Sequence, residues 1–176
     1  MISRLIATWA LLASAATAGD RAIVIGIDDY SLVRPDLILT GAVNDADLFG
    51  QLLTGQMCFA EDEVVTLTNC AAGSDAILSR VIDTLVGETE PGDRAVLYFA
   101  GMGTVLPDGE RAILAHDGAS VLGRIPLSTL SEILSVISDR DVTVVLDAGF
   151  NGGATGLRGV TNPYLPNALA FAPGVT

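Results

Sequence analysis

Lysine is missing from this chain altogether: all nine basic residues are arginine, set against 21 acidic ones. Neither a lysine Schiff base nor a phosphate-loop lysine can therefore form. The formal net charge of −12 argues against nucleic acid, whose phosphates would be repelled, and makes a cationic partner the more natural one. Histidine occurs once, at His116, and cysteine twice, at Cys58 and Cys70. No set of metal ligands and no cofactor motif is legible, so no cofactor is expected. Long apolar runs are also scarce: the one at residues 5–16 falls short of the roughly 20 residues that span a bilayer.

That run follows Arg4 and ends at Ala16-Thr17-Ala18, the small-x-small form that signal peptidase accepts. Residues 1–18 read as a signal peptide, so the protein is expected to be exported to the periplasm or outside the cell, with no membrane contact after cleavage. An uncleaved anchor is the alternative, and the short run counts against it. With 176 residues, half of them apolar, the chain has enough for one substantial core, so residues 19–176 are expected to form one domain.

Two cysteines in an exported protein raise the question of a disulfide. An expected strand at residues 64–68 lies between them, which would separate its ends by roughly 20 Å, whereas a bridge needs Cα atoms within about 7 Å. Two small buried thiols are expected, with pairing as the alternative.

Strands and helices alternate legibly along the chain. Residues 21–28 are almost continuously apolar and β-branched, as in a strand covered on both faces. Residues 43–54 place Val43, Ala46, Phe49 and Leu53 at helical spacing, with Asn44, Asp45 and Asp47 near the start, where acidic groups favour the helix dipole. A second strand is predicted at 63–68, a helix capped by Ser74 at 74–86 and a third strand at 94–100. A hairpin-like stretch at 112–115, a helix capped by Ser128 at 128–137 and a fourth buried strand at 142–147 follow. Such alternation implies a mainly parallel sheet with right-handed crossovers. Ligands bind such sheets beyond the carboxyl ends of the strands, so the loops after Asp28, Ala100 and Asp147 should share one functional rim.

Three stretches around that rim carry a family pattern. Residues 22–30 are followed by Gly41-Ala42-Val43-Asn44-Asp45-Ala46, and Pro91-Gly92-Asp93-Arg94 leads into Tyr98-Phe99-Ala100-Gly101-Met102-Gly103. The last is Val145-Leu146-Asp147-Ala148-Gly149-Phe150-Asn151-Gly152-Gly153. In order, spacing and context these resemble the caspase-like peptidase family: caspases, metacaspases and bacterial orthocaspases. The resemblance implies a caspase-like three-layer α/β/α sandwich around a mainly parallel sheet. It also implies that Met102 stands where the family has its catalytic histidine and Gly149 where it has its cysteine. These positions are 47 residues apart, close to the caspase separation of about 50.

A cysteine peptidase needs a thiolate to attack and an imidazole to move protons. Glycine has no side-chain nucleophile, and a thioether carries no proton near neutral pH, so no catalytic residue is assigned. His116 and Cys58 are expected at different ends of the sheet, which argues against a relocated pair. In the family, acidic residues matching Asp45 and Asp147 line a pocket for arginine or lysine. Here they could hold a basic peptide segment, or Asp45 could serve only the helix start and Asp147 only nearby amides. Gly103 and Gly149 match the backbone that holds the family's oxyanion. Met102 and Phe150 are expected to fill space with apolar bulk.

After the breakers of 162–166, residues 168–172 read as a fifth strand, and the family's later elements are not legible. The sheet is therefore expected to be truncated after about five strands, with an exposed edge that a second copy or a partner subunit covers. Two functions are implied: a non-catalytic binding or regulatory module of the caspase-like fold, or a hydrolase with an unrecognised nucleophile.

Overall fold

A strand buried on both faces needs apolar side chains in both of its alternating sets, and two segments here meet that demand throughout. They are β1 (Arg21–Gly26) and the first part of β3 (Arg94–Val105). In the computed structural model, which describes residues 19–150, these two are parallel neighbours at the centre of the sheet. β2 (Val64–Thr68) flanks β1 and β6 (Asp141–Gly149) flanks β3, both parallel, giving the order β2-β1-β3-β6. β4 (Arg111–Leu114) continues antiparallel from the far end of β3, and the short β5 (Arg124–Pro126) pairs with β4.

Helices cover both faces, as expected for a caspase-like three-layer sandwich. On one, α1 (Ala42–Gly55) packs Ala42, Ala46 and Leu53 against Ala22, Val24, Val96 and Tyr98. Phe49 stacks on Tyr98 with ring centroids 4.1 Å apart. The approach is close enough that a Cβ on Gly26 would lie 2.6 Å from the Ala42 carbonyl and 2.7 Å from the Ala46 methyl. On the other face, α2 (Ser74–Arg80), the π-helical turn Val81–Val86 and α3 (Leu127–Ser135) cover the second set of β1 and β3 side chains. There Ile23, Ile25, Leu97 and Phe99 meet Ile77, Val81, Leu85, Leu130 and Leu134. Among the described residues, no helix is long and apolar enough to cross a membrane.

Several local expectations need correction. Ser74 and Ser128 do not cap helices from the preceding position; each lies inside the first turn of its helix. Carboxylates from elsewhere in the chain do the capping. Ser74 donates its backbone N–H (2.8 Å) and its hydroxyl (2.7 Å) to Asp117, and the Ser128 N–H donates to Glu110 Oε1 at 3.0 Å. The expected helix over 74–86 changes to a π-helical turn at Val81. β3 runs on to Val105 and β6 to Gly149, because β4 pairs with Gly103–Val105 and β6 stays in register with β3 to its end. β5 had no legible signal, and the expected strand at 168–172 lies outside the described residues.

Asp117 yields a pH-dependent prediction. Burial would raise its carboxyl pKa, but hydrogen bonds from Ser74 outweigh that and hold it below the ordinary value. A carboxylate depressed in the folded state adds stability above its unfolded pKa of about 4, and that stability is lost as pH falls through the lower folded value. Asp117→Ala should lower urea-unfolding stability by about 1–2 kcal/mol at pH 7, and the gap from the parent should close as pH falls below about 4. A gap that persists at low pH would contradict the cap.

Candidate functional site

The parallel ladder of β3 and β6 ends on the pair Met102↔Gly149. Neighbouring strands lie about 4.8 Å apart, so the two positions sit side by side at the carboxyl end of the sheet. They belong to the last rung of the ladder and not, as expected, to loops beyond it. Met102 is half-buried against the core that contains Phe150. Gly149 is exposed, and a Cβ added there would meet no heavy atom within 4 Å.

Tyr30 holds the β3 side of this rung. Its hydroxyl is buried, donates to the Leu114 carbonyl at 3.0 Å and accepts the Met102 N–H at 2.9 Å. One phenol thus joins the chain beyond β1, the end of β3 and the end of β4. Burial pushes its pKa far above the ordinary range, so it stays a neutral donor. Gly101 makes room for it, since a Cβ there would lie 2.5 Å from the hydroxyl.

Phe150 closes the other side. A Cβ on Gly103 would come within 2.5 Å of its ring, so the ring occupies the space a side chain at that position would take. Gly103 and Gly149, the expected backbone cradle, both lie within strands. Gly103 is covered by Phe150, and Gly149 opens outward.

Asp147 pairs in register with Ala100 and stands two residues before Gly149. Strand alternation puts it on the sheet face that α1 covers, where the preceding Val145 packs. Asp45 occupies the first turn of α1, one turn before Phe49. Both acids therefore belong to the same face and the same end of the sheet, Asp45 half-buried and Asp147 exposed.

The rest of the rim is held by the side chains of Asp28 and Asn69, to which the sequence analysis gives no role. Asp28 accepts the N–H groups of Gly41 (3.1 Å), Ala42 (2.7 Å) and Val43 (3.4 Å) at the start of α1. Asn69, in the left-handed region at φ 44, accepts the N–H groups of Asp28 (2.9 Å) and Asp29 (3.0 Å). The Asp-Asp pair after a β-branched run was the available signal; nothing local pointed to Asn69. His116 is on the same rim, with Nε2 3.8 Å from Asp29 Oδ2 and its backbone N–H donated to the Ala72 carbonyl at 3.0 Å. The Asp29 carboxyl is held below its ordinary pKa by hydrogen bonding to Ser31, with a smaller contribution from His116.

The cysteines correct an expectation, because both are free and exposed. They follow the ends of α1 and β2 and do not reach the layers between helices and sheet. Cys58 has a φ of 60 and adjoins Phe59, over whose ring Arg94 at the start of β3 is stacked at 4.3 Å. It thus lies toward the amino ends of the strands, at the opposite end from His116. Among the described residues, no three His, Cys, Asp or Glu side chains form a group able to hold a metal.

Residues 20–163 match the model of the Peptidase_C14 family, described as the caspase domain. The chain belongs to that family. No curated protein matches it.

The open space at Gly149 and the closed space at Gly103 predict opposite outcomes. Gly149→Cys should change unfolding free energy by less than about 0.5 kcal/mol, and its new thiol should react readily with maleimide. Gly103→Ala must displace the Phe150 ring and should cost about 1–3 kcal/mol. Equal losses for the two variants in urea titrations would contradict this geometry.

Proposed function

We propose that this chain is a non-catalytic caspase-domain protein, a pseudopeptidase that binds or regulates instead of cleaving. The observation that carries the reading is the pair Met102 and Gly149, adjacent in register at the end of β3 and β6. The position that would supply a nucleophile carries no side chain, and the one that would carry a proton has a thioether. Loss of the nucleophile alone costs a comparable hydrolase on the order of 10⁶ in turnover.

The ligand in this reading is an arginine- or lysine-containing peptide segment, held by Asp45 and Asp147 on their shared face. A guanidinium between two carboxylates forms charge-assisted, bidentate contacts that a neutral side chain cannot, and the net charge of −12 favours its approach. The reading includes export directed by residues 1–18 and a mature domain of residues 19–176. It also includes a second copy or partner subunit along β6, which pairs only with β3 among the described residues.

Purified protein incubated with arginine- and lysine-containing peptides should release no products. Calorimetry should show that a basic peptide binds better than a neutral one of equal length, and that Asp45→Ala or Asp147→Ala reduces the difference several-fold. Equal affinity for both peptides would discard the pocket. Cleavage that disappears on Cys58→Ser, Cys70→Ser or His116→Ala would replace the whole reading with an active hydrolase. Met102→His combined with Gly149→Cys should restore slow cleavage after basic residues if the cleft is otherwise complete.

A further inference from the structure

At the opposite edge of the sheet from Met102 and Gly149, β2 pairs only with β1 among the described residues. An edge strand directs alternate N–H and C=O groups outward, where an added strand can take them up. Beside that edge is a groove of about 340 Å³ between α1 and β2. Its α1 wall is Asp47, Gly50, Gln51 and Thr54, spacings of three and four residues that form one stripe along the helix. Its β2 wall is Val64 and Thr66, two residues apart and so on one face, with Glu61 at the entrance.

Gly50 leaves one position of the α1 wall without a side chain. It lies in the interior of α1, where glycine costs about 1 kcal/mol of helix propensity relative to alanine. Yet a Cβ there would meet no heavy atom within 4 Å, so close packing does not require the glycine. The floor is apolar and hydroxylic at Val64 and Thr66, and both ionisable residues lining the groove, Asp47 and Glu61, are acidic and exposed.

From these features we infer a second peptide-binding site: an extended segment of another protein adds as a strand along β2 and lays arginine or lysine side chains into the groove. Backbone pairing with β2 supplies affinity without regard to sequence, and alternate side chains projecting toward α1 supply selectivity. Asp47 and Glu61 fix the sign of those side chains. The occupant is a different polypeptide and not a second copy, because the matching edge of a second copy, residues 61–68, holds three acids and no arginine or lysine to meet Asp47 and Glu61. This site is independent of the Asp45 and Asp147 pocket.

The test uses the full chain and the peptide acetyl-(Thr-Arg)₃-amide, read by calorimetry and by amide hydrogen exchange. Binding should protect amides of residues 64–68. Asp47→Asn combined with Glu61→Gln should weaken it by about tenfold, the combined effect of two exposed ion pairs. Gly50→Leu keeps both carboxylates, improves helix propensity and fills the groove, and should weaken binding at least as much. Methylation of alternate peptide nitrogens should abolish it, whereas Asp147→Ala should leave the β2 protection unchanged. The proposal is overturned if the N-methylated peptide binds equally well or if the groove variants have no effect. It is also overturned if protection depends on Asp147 alone, or if the β2 amides become protected with rising protein concentration in the absence of peptide.

Discussion

The Asp28 carboxylate at the start of α1 is the contact on which the rest of the rim depends. A helix begins with N–H groups that have no partner within it. For α1, three of these groups face a carboxylate that sits just past the end of β1 and is separated from them by at least 13 residues of chain. Helix entry and strand exit are therefore fixed to one another. Asn69 extends the arrangement sideways, since its side chain accepts the amides of Asp28 and Asp29 and so ties the end of β2 to the end of β1. Asp117 and Glu110 act in the same way on α2 and α3. Three helices begin on acids supplied from another part of the fold, which gives the acidic composition a structural use beyond solubility.

With the ends of the strands held in this way, the rung at Met102 and Gly149 is fixed from both sides. Tyr30 fixes one side through two buried hydrogen bonds, each worth more when its loss would leave a buried group unpaired. Phe150 fills the other through apolar contact with Gly103. Neither device involves a thiol or an imidazole. On the proposed non-catalytic reading, the scaffold keeps the stability of the rim without the residues for chemistry there.

The legibility of the sequence follows the range of the forces involved. β1, α1, β2 and the start of β3 were readable because burial imposes periodicity, and Ile23, Ile25, Ala46 and Leu53 carry it in neighbouring residues. The caps were misread for the converse reason: Ser74 and Ser128 look like local caps, but each N–H is claimed by an acid from a remote segment, and no window of sequence contains both partners. The reach of β3 was underestimated because Gly101, Met102 and Gly103 have weak strand propensity, and it is pairing with β4 and β6 that keeps them extended. Cys58 and Cys70 were expected to be buried from residue type alone, whereas each falls just beyond an element end. Of the candidate site, the spacing of residues 102 and 149 was legible; Tyr30, Asp28 and Asn69, which hold them in place, act through tertiary contacts.

The two outer parallel strands among the described residues, β6 and β2, have different chemical characters. β6 carries Asp147 and Gly149 at its carboxyl end, beside Met102 of β3. β2 lies on the far side of β1, and its neighbour α1 presents the stripe Asp47, Gly50, Gln51 and Thr54 beside it. A helix selected only for packing gains nothing from an interior glycine whose Cβ would meet open space. The outer face of α1 therefore carries a feature that packing within the described fold does not require.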